Sequence, residues 1–355
     1  MTLRALVLVS ACLGLALPAA AQTQPPAAKA SAWKAPRNVW GHPDLSGVWT
    51  NATITRLERD PRFGDRLVLS EDEARRIEGV TARAMDVAGR PTDQKTGVDD
   101  LPTCGDGSSG PACGYNAFWV APGTKVIRIG GEARSSILVE PKNGRLPLSA
   151  AALARQRAAF GNGRLGNFDG PERRPLGERC LVGFGSTSGP PMLPVLYNNH
   201  YQIAQTGDEV MIQIEMVHDT RIIRLNSKHK PASIRQWMGD SIGRWEGDTL
   251  VVETANFRRD QTFRGATENM RVIERFTRIS PQQIKYTFEV IDPATFTEPV
   301  KGEQAFNASS EMVYEYACHE GNYALPGILA GAREEERQGR EMEGNRGAVK
   351  EEGAE

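Results

Sequence analysis

The chain has 355 residues, a hydrophobic content of 39%, a charged content of 25% and a formal net charge of -1. That length suits one large domain or two small ones, and the near-neutral balance lacks the basic footprint that binding to nucleic acid or an anionic membrane surface needs. Frequent glycine and proline, few segments of helical period and many short alternating runs point to an all-β core.

The amino terminus, MTLRALVLVSACLGLALPAAAQTQ, has one arginine, an apolar run from Ala5 to Leu17, and Ala19, Ala20 and Ala21 before Gln22. This is the pattern of a secretory signal over residues 1–21, cleaved after Ala21. Val9-Ser10-Ala11-Cys12 also fits a lipoprotein cleavage box, but an apolar run follows it, so Cys12 is read as lost with the signal. No other segment is long and apolar enough to span a bilayer, and a periplasmic or secreted protein is expected. Residues 22–35 read as a flexible linker, residues 36–330 as a single β-barrel domain with long loops, and residues 331–355 as a charged, largely disordered tail.

In an oxidising compartment the remaining cysteines, Cys104, Cys113, Cys180 and Cys318, suggest bridges. Cys104 and Cys113 enclose the glycine-rich loop GDGSSGPA and are expected to pair. A Cys180 to Cys318 bridge, which would join distant parts of the chain, is left open. Their spacings match no zinc site, and no metal is expected.

In chain order, Gly47-x-Trp49 resembles the first strand of lipocalin and avidin barrels, where the tryptophan plugs one barrel end. Ser70 and Glu73 form a capping box that opens a mostly polar helix, with Ala74 and Ile77 turned toward the barrel or one of its mouths. Strands are expected over 118–120, 125–129 and 136–140, and Ser149 caps a second helix ending at Gly161. The glycine- and proline-rich stretch from there to about residue 194 reads as loop.

Short alternating strands then follow in quick succession over 199–205, 209–216 and 221–225. The stretch QWMGDSIGRWEGDTLVVETANF is a hairpin with a two-residue, glycine-first turn at Gly247-Asp248. Further strands are read over 270–279, 283–291 and 311–317. Such a meander closes most simply into a lipocalin-like barrel, which abolishes its edges; a β-sandwich is the alternative, since periodicity cannot show closure.

Chemistry is expected at one barrel mouth. On the strand over 209–216, Val210, Ile212, Ile214 and Met216 share an apolar face, while Met211, Gln213, Glu215 and Val217 share a mixed one that would line a cavity. At the following corner His218 is the candidate general base, Asp219 or Glu215 its orienting partner, and Arg221 the holder of an anionic group. His319 and Glu320, beside Gly321, are candidate acids if that end of the chain approaches the His218 corner. Tyr201, Trp237 and Asp240 complete the substrate wall. His42, His200 and His229 read as structural or exposed. No G-x-S-x-G, Walker loop or G-x-G-x-x-G in strand-to-helix context is present, so no redox or nucleotide cofactor is expected.

The segments HPDLSGVW, CGYNAFW, GPERRPLGERC, YNNHYQI, EMVHDTRII, WMGDSIGRWEGDTLVVETANF, VIERFTRI and YEYACHEGNYAL together make the chain similar to a family of secreted bacterial proteins without an established activity. The resemblance implies export and a single architecture, and it lends no mechanism. The functional expectation is an exported, cofactor-independent enzyme performing lyase, isomerase or hydrolase chemistry on a small aromatic or sugar-like molecule. The alternative is a lipocalin-like protein that binds a small ligand without catalysis, and a filled barrel without a cavity would indicate a structural role. Neither nucleic acid nor a membrane span is expected.

Overall fold

A computed structural model describes residues 33–89, 120–161, 168–183, 189–259 and 262–338. The signal segment, the Cys104–Cys113 pair, residues 118 and 119 of the first expected strand and the tail beyond residue 338 lie outside the described residues. The described residues from Lys34 onward belong to one compact unit.

Most of the alternating runs become strands. In chain order the elements are β1 (Gly47–Thr50), β2 (Val68–Leu69), α1 (Glu71–Ala88), β3 (Arg128–Ile129), β4 (Glu132–Arg134), β5 (Leu138–Glu140) and α2 (Ala150–Gly161). There follow β6 (His200–Gln205), β7 (Glu209–Ile214), β8 (Thr220–Leu225), β9 (Asp240–Glu246), β10 (Thr249–Ala255), β11 (Arg271–Ser280), β12 (Gln283–Ile291), β13 (Val300–Ala308) and α3 (Ala324–Arg337). The helix starts match their signals. Ser70 Oγ accepts from Glu73 N (3.2 Å) while Glu73 Oε2 accepts from Ser70 N (2.9 Å), and Ser149 Oγ accepts from Ala152 N (3.1 Å).

The sheet order β1-β6-β7-β8-β9-β10-β11-β12-β13 returns to β1, closing a nine-stranded barrel of the lipocalin-like type. One edge of β13 serves two neighbours, pairing with β5 at Lys301 and Gly302 and with β1 at Asn307 and Ala308. Residues 311–317 form no strand; β13 closes the ring instead. Its sequence VKGEQAFNA has no two-residue period because Gly302, Glu303 and Gln304 interrupt the apolar alternation, although all three are buried. A Cβ on Gly302 would lie 2.2 Å from the ring of its register partner Phe288, so the aromatic ring takes the space of the missing side chain.

Side chains fill the barrel interior. Val210, Ile212 and Ile214 point inward with Tyr201, Ile203, Leu250, Val252, Phe276, Ile284, Tyr286 and Phe306. Their rings touch, with centroids 5.0 Å apart for Tyr201–Phe306 and Phe276–Tyr286. Trp49 is 2% exposed and donates its indole N–H to Leu45 O (2.9 Å). The buried segment 189–193 also reaches this core. Met192 N donates to Tyr286 Oη (3.0 Å), and its carbonyl accepts from Gln304 Nε2 (3.1 Å). The mixed face of β7 is therefore the outer one: Met211 and Gln213 are half-buried on the barrel's exterior and line no central cavity.

Helix α1 lies over the small sheet β2-β4-β3 and a satellite core of Leu69, Ala74, Val126 and Ala133. Cys180 and Cys318 are disulfide-bonded across 138 residues, which is compatible with an oxidising compartment. Among the described residues no helix is long and apolar enough to cross a membrane.

Candidate ligand site at the parallel strand pair

Every neighbouring pair in the barrel is antiparallel except β8 and β9, which run parallel with Ile223 opposite Ser241, Arg224 opposite Ile242 and Leu225 opposite Gly243. Parallel neighbours cannot be joined by a tight turn, so residues 226–239 cross over the outside of the wall. Asn226 starts the crossover at φ 51, a conformation that asparagine tolerates, and Gly239 ends it at φ +71. A Cβ on Gly239 would lie 2.6 Å from Thr254 Cγ2 and 2.8 Å from Ala255 O, so the strand entry requires glycine.

Because β8 pairs with β9 only from Ile223 onward, Thr220, Arg221 and Ile222 have no β9 partner, and a pocket of about 370 Å³ occupies the gap. It is lined by Thr220–Ile222, Arg224, Lys230, Gln236–Gly239, Asp240 and Ser241. The lining mixes inward-facing Arg221 and Ser241 with outward-facing Arg224 and Asp240.

The inner side of the gap is buried. Arg221 donates to both oxygens of Glu274 (3.0 and 2.6 Å) and, at longer range, to Ser241 Oγ (3.3 Å) and Thr254 Oγ1 (3.4 Å). Tyr286 Oη donates to Glu274 Oε1 at 2.9 Å. Burial alone would lower the Arg221 pKa, but the charge and hydrogen bonds of Glu274 outweigh it and hold it above its ordinary value. Burial and the neighbouring Glu274 charge push the Tyr286 hydroxyl well above its ordinary value, so it stays a donor. Arg221 Nε is buried without a hydrogen-bond partner among the described residues.

The outer side holds a second charge cluster. Asp240, 3% exposed, accepts from Arg224 Nη2 (2.9 and 3.0 Å), from Lys230 N (2.9 Å) and from His229 Nδ1 (3.0 Å). Burial would raise the Asp240 pKa, but the Lys230 N–H, His229 and Arg224 outweigh it and hold the carboxyl below its ordinary value. His229 Nε2 is buried and 3.6 Å from Glu253 Oε1. Trp237 forms the outer wall, with the Arg258 guanidinium 4.0 Å from its ring centre. The Lys230 ammonium is less engaged: 40% exposed, it donates to Gln236 Oε1 at 3.4 Å and lies 4.0 Å from Asp240 Oδ1.

Three of the substrate residues expected from sequence, Arg221, Trp237 and Asp240, thus line one pocket. The others lie elsewhere. Tyr201 is fully enclosed in the core, where its hydroxyl accepts from Asn51 Nδ2 (3.2 Å), and burial pushes its pKa up. Glu215 is buried just past β7 and pairs with His200 Nδ1 (3.0 Å) instead of His218. Burial would raise the Glu215 pKa, yet His200 and the further hydrogen bonds keep the carboxyl below its ordinary value.

No His218–Asp219 dyad is built. The chain turns left-handed at Val217 and His218 (φ 57 and 46), which leaves His218 exposed, while Asp219 Oδ2 accepts from Gly183 N (3.0 Å). His319 and Glu320 are also exposed, and among the described residues none of the His218, His319 and Glu320 side chains has a hydrogen-bond or ion-pair partner. Their neighbours are linked, since Cys318 is bonded to Cys180, three residues before the Gly183 that meets Asp219.

Arg224, Lys230 and Glu274 carry no mark in the sequence reading, and His229, read as structural or exposed, turns out to hold Asp240. For Glu274 a signal existed: it shares a strand face with Val272 and Phe276, and a carboxylate on an apolar face needs a buried partner. No cluster of three His, Cys, Asp or Glu side chains among the described residues is placed to hold a metal ion.

Comparison with protein-family models, curated proteins and solved structures found no match.

Proposed function

We propose that this is an exported barrel protein that binds a small carboxylate-bearing aromatic molecule in the pocket between β8 and the crossover. The supporting observation is the pocket's charge. Arg221 and Arg224 are each paired with a carboxylate, Glu274 and Asp240, which leaves the Lys230 ammonium as the cation of the lining held by no hydrogen bond shorter than 3.4 Å. Lys230 keeps an ammonium to offer an incoming anion, and Trp237, Met238 and Ile222 supply apolar surface for a flat body. A volume of about 370 Å³ lies within the usual range for small-molecule sites. Export rests on the signal-like amino terminus, with which the Cys180–Cys318 bridge is compatible.

Binding is favoured over acid–base catalysis because the pocket's carboxylate and the imidazole beside it are locked. Asp240 is held as a carboxylate and His229 has one nitrogen bonded and the other buried. A general base needs a lone pair within reach of substrate.

Calorimetric titration with benzoate and its uncharged counterpart benzamide tests the reading. Benzoate is expected to bind and benzamide is not. Lys230→Ala and Trp237→Ala should each weaken benzoate by about tenfold, the equivalent of about 1.4 kcal/mol. Equal binding of benzoate and benzamide, absence of benzoate binding, or unchanged affinity in both variants would overturn it.

A further inference from the structure

A larger pocket, of about 550 Å³, lies beneath α1 and is built by residues that play no part in the site at the β8–β9 gap. Its floor is the satellite core. Leu69 and Val126 are buried there, and Ile54, Phe63 and Ile77 pack against them partly exposed. Val80, also in the lining, is 59% exposed, so α1 presents a bare aliphatic side chain to a concave surface.

Charge around this floor is one-sided. The lining includes Arg56, Arg62, Arg76 and Arg134 against Asp60 and Glu73, and both carboxylates are already engaged. Glu73 accepts from both terminal nitrogens of Arg66 (2.6 and 2.7 Å) and from Ser70 N (2.9 Å), and these bonds pull its carboxyl down to about 2. Asp60 accepts from Arg62 N (3.1 Å) and lies 3.4 Å from the Arg62 guanidinium. Arg134 is paired with Glu303 and Glu132. Arg56 and Arg76 are left: both are exposed, and among the described residues neither guanidinium has a hydrogen-bond or ion-pair partner.

We propose that this pocket is a second binding site, for a carboxylate with an aliphatic tail, its head between Arg56 and Arg76 and its chain on Ile54, Leu69, Ile77, Val80 and Val126. An alkyl chain fits better than an aromatic body. The one aromatic ring in the lining, Phe63, is already covered by the Arg62 and Arg66 guanidinium groups, 4.7 and 5.6 Å from its centre. What remains free is aliphatic. Covering Val80 and its neighbours removes apolar surface from water, while the arginines fix which end of the molecule is held.

Calorimetric titration of the full chain with decanoate, below its micellar concentration, against decanol tests the proposal. Decanoate is expected to bind and decanol at least tenfold more weakly. Arg56→Ala/Arg76→Ala should weaken decanoate at least tenfold, and Val80→Asp should abolish it; these are exposed positions, and an unchanged thermal midpoint confirms that the fold survives. Lys230→Ala, which impairs the other pocket, should leave decanoate affinity unchanged, so the two readings fail separately. The proposal falls if decanoate does not bind, if decanol binds equally well, if the double arginine variant binds like the wild type, or if Lys230→Ala weakens decanoate as much as the arginine pair does.

Discussion

Strand β8 carries two arginines three residues apart, and the two-residue period of a strand sends them to opposite faces of the barrel wall. Each meets a carboxylate through two contacts, Arg221 with Glu274 inside and Arg224 with Asp240 outside. The side chains of the inner pair are 1% and 0% exposed, those of the outer pair 29% and 3%. The inner pair is enclosed by Ser241, Thr254 and Tyr286 and ties together β8 through β12. Outside, His229, Lys230 and Trp237 arrive on the crossover, which can follow the wall without sealing it. The same kind of ion pair is thus a joint in one place and borders an open pocket in the other, and water access makes the difference.

The inner pair gives the largest expected effect. Arg221→Met should cost about 3–5 kcal/mol in denaturant unfolding because it strands a buried Glu274 charge. Arg221→Met/Glu274→Leu should recover much of that loss, since an apolar pair carries no desolvation penalty. Arg224→Met should cost less, about 1–2 kcal/mol, because His229 and Lys230 N still hold Asp240 and one partner already meets water. It should nevertheless weaken benzoate, which would sharpen the division between joint and pocket. Equal losses for the two single variants would break it.

The smallest effect is a pH dependence. The Asp240 carboxyl is held below the ordinary value of 3.8, so its contribution to stability is fully present above that value and is lost as the pH falls through the lower folded value. The stability gap between the wild type and Asp240→Asn, followed by thermal unfolding, should therefore narrow as the pH is lowered beneath 3.8. A gap that stayed constant there would mean that the outer pair is not coupled to folding.

Much of the site was legible in pieces. Arg221, Trp237 and Asp240 were marked by charge and indole near a strand end, and all three reach one pocket. His218 and Asp219 were marked by adjacency, but a left-handed turn and the Gly183 N–H separate their fates. Glu215, expected beside His218, meets His200 instead, a histidine on the adjacent strand fifteen positions away. His229 could not be linked to Asp240 before the crossover was known, because its ring reaches the carboxylate only when β8 and β9 run side by side.

Local chemistry alone was enough to determine the Gly247-Asp248 turn, the Ser70 capping box and the burial of Trp49. Each depends on residues close in the chain, where backbone period and side-chain type leave few alternatives. Tertiary structure decided the rest: closure through β13, the parallel β8–β9 step, and the pairing of Arg221 with Glu274 across 53 positions. Those outcomes turn on which strands meet and which charges lose water together. Such choices are made between distant segments competing for the same partners, and a residue's own neighbourhood carries no record of the competition.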